Sequence, residues 1–309
     1  MPPFVRPDVQ RFLDYLNALP GPRTHEVTPP EAREMMRRSR DLADAPVGEI
    51  AVMRDVEGGP VPVRLFDARE SRGPGPVVVF FHGGGWVLGD LDTYAPLCAA
   101  TARGLDLPVV SVDYRLAPEH PFPAGVEDAM AAARWVAGSP AELGLEATGL
   151  VLAGDSAGGN FAIVAAQDLR DRPAPVPVLA QWPIYPAAHP TAGFPSFTDF
   201  AAGYLLTHEG IRWFDDQYRP DKDDPRWEPM LRPLAGLPPA VVQTASLDPI
   251  RDQGRAYAAR LVEAGVDVTF LEARGNIHGF MNLRGAIPSS NDDLAQALAA
   301  LKLILAGRA

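Results

Sequence analysis

Short apolar runs alternate with longer amphipathic stretches along this chain. Val9, Phe12, Leu13, Leu16 and Leu19 recur at three- and four-residue spacing, the period of one helix face, up to the Pro20-Gly21-Pro22 break. A second amphipathic stretch covers Glu31 to Leu42. Ile50 to Val56 and Val61 to Phe66 then read as two strands joined through Gly58-Gly59, the pattern of a hairpin. From Val77 onward, strands are expected near 77–81, 109–114, 149–153, 178–182, 240–246 and 267–272. Helices are expected near 92–104, 125–138, 158–170, 252–264 and 291–306. That alternation predicts an α/β protein with a mostly parallel eight-stranded sheet, covered by helices on both faces and opened by one antiparallel hairpin.

One connection breaks the rhythm. Residues 186–239 separate two strands that a few residues could join. The insertion carries an aromatic helical segment, His208 to Tyr218, with Ile211, Trp213 and Phe214. With the N-terminal helices it is expected to form a cap, so the chain divides into cap helices at 1–45, a main α/β domain at 46–185 and 240–309, and a cap insertion at 186–239. A surface elaboration remote from chemistry is the plain alternative.

The candidate chemistry lies at Gly154-Asp155-Ser156-Ala157-Gly158-Gly159-Asn160, which contains G-x-S-x-G. An apolar strand, Gly149 to Ala153, runs into it, and a helical segment, Phe161 to Leu169, runs out of it. A serine between strand and helix, flanked by small residues, occupies a sharp strained turn with its hydroxyl exposed. The helix N-terminus beside it favours developing negative charge. Upstream, the run Val77 to Phe81 ends in His82-Gly83-Gly84-Gly85-Trp86. Consecutive glycines after a strand can turn backbone N–H groups into a cleft, as an oxyanion hole requires. A dinucleotide loop fits poorly, because G-x-G-x-x-G counted from Gly83 reaches Leu88. No Gly-Lys-Ser/Thr follows, so a phosphate-binding P-loop is excluded.

A serine nucleophile of this kind is followed in the chain by Asp or Glu and then by His. The histidines are 25, 82, 120, 189, 208 and 278. Those before Ser156 are in the wrong order, and neither His189 nor His208 follows a convincing strand. His278 follows the strand-like Val266 to Leu271 and an expected short loop from Glu272 to Ile277. Asp248, just after the run Ala240 to Ala245, is the acid at a strand's end. Asp252 is the runner-up, with a plainer role in the first turn of the next helix. Asp267 begins a strand, at the wrong edge, and Glu272 stays open though close to His278 in sequence.

Four motifs in order then carry a resemblance: His82 to Trp86; Asp113-Tyr114-Arg115-Leu116-Ala117-Pro118-Glu119; Gly154 to Asn160; and Asp248-Pro249-Ile250-Arg251-Asp252 followed by His278-Gly279-Phe280. The chain resembles the hormone-sensitive-lipase-like branch of the α/β-hydrolases, the bacterial carboxylesterases. The resemblance implies an α/β-hydrolase fold with a helical cap, Ser156 as nucleophile, Asp248 as acid and His278 as base. It implies oxyanion donors from Gly83, Gly84 and Gly85, chiefly the latter two, plus Ala157, with His82 bracing the loop. Trp86, Tyr185, Leu205 and Phe214 are candidates for an apolar substrate pocket. The expected reaction is hydrolysis of short- to medium-chain carboxylic esters through an acyl-enzyme, with no metal or organic cofactor. An amidase or formamidase and a lactonase use the same machinery. A ligand-binding receptor of the same fold is a rival disfavoured by the complete triad.

Composition narrows the partners. The 309 residues are 47% hydrophobic and 22% charged, ordinary for a globular protein. A net charge of −11 argues against nucleic acid and against anionic membrane surfaces. The single cysteine, Cys98, forbids an intrachain disulfide and is expected as a small buried hydrophobe on a helix. The N-terminus, Met1 to Pro7, lacks the basic and apolar regions of a signal peptide, and no apolar run reaches membrane-spanning length. The expectation is a cytoplasmic enzyme acting on a small-molecule ester, with a homodimer left open as its assembly.

Overall fold

The computed structural model describes residues 3–190 and 193–307. Two N-terminal helices, α1 (Pro7–Ala18) and α2 (Pro29–Ala43), precede the sheet strands β1 (Val52–Val56), β2 (Val63–Asp67) and β3 (Gly75–Phe81). Then come α3 (Ala95–Leu105), β4 (Val109–Val112), α4 (Ala124–Ala137), β5 (Ala147–Asp155), α5 (Ala157–Asp171) and β6 (Val178–Ile184). The long connection holds α6 (Pro195–Asp199) and α7 (His208–Tyr218). The chain closes with β7 (Ala240–Leu247), α8 (Arg251–Glu263), β8 (Val268–Ile277) and α9 (Ser290–Ala306).

Among the described residues, eight strands form one sheet in the order β1-β2-β4-β3-β5-β6-β7-β8. Only the two ladders of β2, to β1 and to β4, are antiparallel; the other five are parallel. The strand β3 shows why the central runs are apolar without interruption. Val77, Val79 and Phe81 enter the core shared with Val126 of α4 and Phe161 of α5, while Val78 and Phe80 enter the opposite core with Leu97 of α3 and Leu301 of α9. A strand with helices on both faces buries every side chain, at about 1.5–3 kcal/mol for each large one. Cys98 lies on α3, buried in that second core.

Two elements depart from the sequence reading. The stretch Glu272 to Ile277, expected as a loop, belongs to β8. Its pairing with β7 slips between Ala245↔Ala273 and Leu247↔Ile277, so Ser246 faces three residues. Gly275 takes a φ of 77° there, and its N–H donates to Ser246 Oγ at 2.7 Å. The bulge lets the strand bend without ending. The short α6 has five residues and no sequence signal of its own.

Because β3 and β5 through β8 run parallel, their carboxyl ends share one edge of the sheet. The loops carrying His82, Ser156, Tyr185, Asp248 and His278 all leave from that edge.

Candidate active site

The turn between β5 and α5 is tight enough to require its glycines. A Cβ on Gly154 or Gly158 would collide with backbone, for Gly158 the carbonyl of Phe81. Ser156 sits between them at φ 54° and ψ −115°. Such a conformation costs of order 1–3 kcal/mol for a non-glycine residue. It is held by Ser156 N–H donating to Ile184 O at 2.9 Å, and by the Ser156 carbonyl accepting from Asn160 and Ala187.

Ser156 Oγ lies 2.9 Å from His278 Nε2, and His278 Nδ1 lies 2.7 Å from Asp248 Oδ2. The other oxygen of Asp248 accepts the Ile250 N–H at 2.9 Å, which fixes the carboxylate in a fully buried position. With Nδ1–H donating to Asp248, Nε2 presents its lone pair to the serine hydroxyl.

The other acids are engaged elsewhere. Asp252 lies in the first turn of α8 and accepts from Ser196 N–H and Arg251 Nε. Glu272 forms a two-pronged bridge with Arg255. Asp267 precedes β8 at the sheet's far edge, where its carbonyl accepts from Ala240 N–H. His189 pairs with Glu228 at 2.8 Å, and His208 stacks edge-on against Phe197.

The glycine loop corrects one expectation. Gly83 N–H donates to Asp155 Oδ1 at 2.7 Å, so it does not face the cleft as an oxyanion donor. Among the described residues, the N–H groups of Gly84, Gly85 and Ala157 have no hydrogen-bond partner. Gly84 and Gly85 have φ values of 109° and 59°, and Ala157 opens α5 at its positive end. His82 is fully buried, and its ring stacks on Tyr114 at 4.2 Å. Burial holds its imidazole neutral, with a pKa lowered to about 4. Its Nδ1–H donates to the Gly83 carbonyl at 2.8 Å, a bracing contact.

The four pocket candidates separate. Phe214 lies over Gly85, where an added Cβ would strike its ring. Leu205 is 39% exposed, and its Cδ2 lies 3.7 Å from where a Gly279 Cβ would stand, beside His278. Trp86 instead stacks on Tyr218 at 4.5 Å and is 5% exposed, so it belongs to the packing beneath α7. Tyr185 is also a correction: it is buried, its hydroxyl donates to Asp155 Oδ2 at 3.2 Å, and its ring lies 4.7 Å from that of His278. An aromatic after a strand is ambiguous in sequence, and the buried carboxylate resolves it by taking the polar end.

The sequence alone does not single out Asp155, Tyr94 or Tyr114. Asp155 and Tyr114 do stand inside two of the quoted motifs. The sequence signal for Asp155 is an acidic side chain at the end of an otherwise apolar strand.

Residues 78–282 match the family defined by the α/β hydrolase fold. The chain belongs to the hormone-sensitive-lipase-like α/β-hydrolases. This α/β-hydrolase is 44% identical to the carboxylesterase NlhH of Mycobacterium tuberculosis over 252 residues, 79% of either chain. It is 33% identical to the ethyl acetate hydrolase of Pseudomonas putida over 316 aligned positions, 96% of this chain and 98% of that one. The crystal structure of a thermostable esterase from Pseudomonas putida superposes on this hydrolase fold with a TM-score of 0.92, 32% identity and 99% of each chain covered. Among the described residues, no helix is long and apolar enough to cross a membrane.

Proposed function

We propose that this chain is a serine carboxylesterase that hydrolyses small esters of short- and medium-chain acids. The relatives named above as carboxylesterase, esterase and ethyl acetate hydrolase support ester hydrolysis. The single observation that carries the residue assignment is the unbroken line Ser156 Oγ, His278 Nε2, His278 Nδ1, Asp248 Oδ2, with both gaps under 3 Å.

In this reading His278 Nε2 accepts the hydroxyl proton as Ser156 Oγ bonds to the ester carbonyl carbon. The carbonyl oxygen becomes an anion and accepts from Gly84, Gly85 and Ala157 N–H. Asp248 holds the imidazolium and its tautomer. The carbon–oxygen bond to the alcohol breaks, and Nε2–H protonates the departing alkoxide. Water then repeats the sequence on the acyl-serine, its proton passing through His278, and releases the acid with Ser156 restored.

The proposal includes the division into cap helices at 1–45, a catalytic domain at 46–185 and 240–309, and a cap insertion at 186–239. Residues 1–2, 191–192 and 308–309 of those spans lie outside the described residues. Two contacts support a cap: Phe214 of α7 over Gly85, and Arg33 of α2 donating to the Val87 carbonyl at 2.8 Å. A roof set so near the oxyanion loop favours small substrates. The single buried cysteine, which leaves no intrachain disulfide, supports a cytoplasmic location.

The test is a fluorophosphonate probe with peptide mapping, alongside nitrophenyl esters of increasing acyl length. Labelling at Ser156, with loss of both labelling and turnover in Ser156→Ala, is the expected outcome. Labelling elsewhere, or turnover by the variant near that of the wild type, overturns the assignment.

A further inference from the structure

We propose that Asp155 is a positioning residue that aligns the oxyanion loop with the imidazole, through Gly83 on one side and Tyr185 on the other. The inference rests on the functional reading above. Asp155 is the residue before Ser156, and it is 2% exposed. Its Oδ1 accepts the Gly83 N–H at 2.7 Å, while its Oδ2 accepts the hydroxyls of Tyr94 and Tyr185, each at 3.2 Å. Those donors are all neutral. Other buried aspartates meet a group that carries or can take a positive charge, as Asp44 does with Arg284, Asp67 with Arg72, Asp168 with Arg134 and Asp248 with His278. Among the described residues, Asp155 has no such cation within bridging distance.

The consequence runs through planar peptides. In the peptide joining residues 82 and 83, the N–H is held by Asp155, and the carbonyl accepts the Tyr114 hydroxyl at 2.6 Å. That plane is therefore fixed at both ends. The next plane has its carbonyl held by His82 Nδ1–H, and its N–H is the Gly84 donor pointing to the opposite side. The aim of Gly84 N–H is thus set one plane away from the cleft. Position 83 must be glycine on the same account, because a Cβ there would stand 2.6 Å from Asp155 Oδ2 and 2.7 Å from the Tyr94 hydroxyl.

The other arm reaches the base. Tyr185 follows β6 with a φ of 32°, and its ring is tilted 56° against His278. Its hydroxyl on Asp155 prevents the ring from turning away. One carboxylate therefore ties the ends of β3, β5 and β6 to the imidazole. It also brings a second negative charge near His278, beyond that of Asp248, and burial makes that charge costly, raising the Asp155 carboxyl to about 6. The titratable groups facing the imidazole are Asp248, Asp155 and the Tyr185 phenol; those around Asp155 are Tyr94, Tyr185 and His278, with the Tyr114 phenol and the Cys98 thiol beyond them.

The experiment compares wild type, Asp155→Asn, Tyr185→Phe and the double variant Tyr94→Phe/Tyr185→Phe on nitrophenyl acetate across pH 5 to 9, and against a fluorophosphonate. Asn keeps the size of Asp155 and an acceptor for Gly83 but removes the charge. We expect kcat to fall by about 10- to 100-fold in Asp155→Asn, less than loss of a whole oxyanion donor, with KM within about twofold. Phosphonylation of Ser156 should slow by a similar factor. The acid limb of kcat/KM should move to lower pH, because removing a negative charge disfavours the imidazolium. A merely structural residue would leave that limb in place. The phenylalanine variants should show smaller kcat losses at unchanged KM, and they keep the test decisive if Asp155→Asn does not fold. Asp155→Asn with kcat within twofold of wild type, or an acid limb that stays put, overturns the proposal. If wild type itself is not labelled at Ser156, the functional reading fails first; if it is labelled and the variants behave as wild type, only the positioning role fails.

Discussion

Replacing Asp155 with Asn should stabilise this protein while weakening its catalysis. The carboxyl has an ordinary value of 3.8, and burial raises it to about 6. The Gly83 N–H, two tyrosine hydroxyls and the nearby His278 pull the other way without cancelling it. At about 1.36 kcal/mol for each tenfold change in proton affinity, the gap corresponds to about 3 kcal/mol. The sign follows from the direction. A carboxyl that binds its proton more tightly when folded favours folding fully below the unfolded value of 3.8, and that contribution is lost as pH rises through about 6. Above neutral pH the wild type therefore keeps an ionised carboxylate buried at a cost of about 3 kcal/mol, which Asn does not bear. The assay is urea unfolding of both proteins at 25 °C, from pH 4.5 to 8, taking their difference at each pH so that titrating groups not coupled to Asp155 cancel. Asp155→Asn should be the more stable by up to about 3 kcal/mol at pH 8, and the advantage should shrink by about 2 kcal/mol on going down to pH 4.5. A difference that stays flat over that range, or grows toward acid, refutes the reasoning.

Three further outcomes follow from named contacts. Asp248→Asn should lower kcat by orders of magnitude through the wrong imidazole tautomer, whereas Asp252→Asn should cost about 1 kcal/mol of stability or less, and steady-state kinetics with a denaturation curve on each reports the ranking. Gly85→Ala places a methyl against the Phe214 ring at a φ of 59°; it should lose about 1–2 kcal/mol to the left-handed backbone alone, plus the clash, and Phe214→Ala in the same chain should recover the clash but not the backbone part in a double-mutant cycle. Deleting the first 40 residues removes Val9 and Leu13, which pack on Leu247 and Ile277 next to Asp248 and His278, and the Arg6–Asp293 bridge; melting temperature and kcat should fall together, and an unchanged acyl-length profile with an unchanged melting temperature would remove the N-terminal helices from the proposed cap.

The parts of the site legible in sequence are those whose chemistry and local backbone coincide. Ser156 has a strand before it and a helix after it, and only small residues fit its turn, so composition and periodicity converge on one position. Asp248 and His278 end strands in a sheet that the alternation of elements already makes parallel. The neighbours that organise these groups are less legible. Three successive glycines look equivalent in a sequence, and which N–H remains free depends on where the Asp155 carboxylate points across the sheet from β5 to β3. Tyr185 was expected among pocket aromatics because its apolar ring is visible in sequence and its hydroxyl partner, thirty residues back, is not. The bulge of β8 was hidden because Arg274, Gly275 and Asn276 break the strand pattern, while the hydroxyl that rescues the pairing belongs to Ser246 on the neighbouring strand.

Unfavourable local energies gather at one edge of the sheet, and the reason is geometric. Ser156 holds a backbone conformation that costs of order 1–3 kcal/mol, Asp155 holds a charge without a cation, and among the described residues His82 Nε2 is buried with no partner. Any one of these could relax by a small rotation if its surroundings gave way. They do not give way, because β3, β5 and α5 approach so closely that Gly154 and Gly158 have no room for a Cβ, and because Phe81 of β3 and Phe161 of α5 pack edge-to-face at 6.5 Å, locking that strand to the helix. Dense packing on both faces of β3 and β5 thus overdetermines the strained turn at their ends. On this view substitutions that loosen the core under the turn should reduce turnover before they unfold the chain. Phe161→Leu offers a direct comparison: a loss in kcat larger than its stability loss implies would support the view, and proportional losses would show that the turn carries its strain without help from the core beneath it.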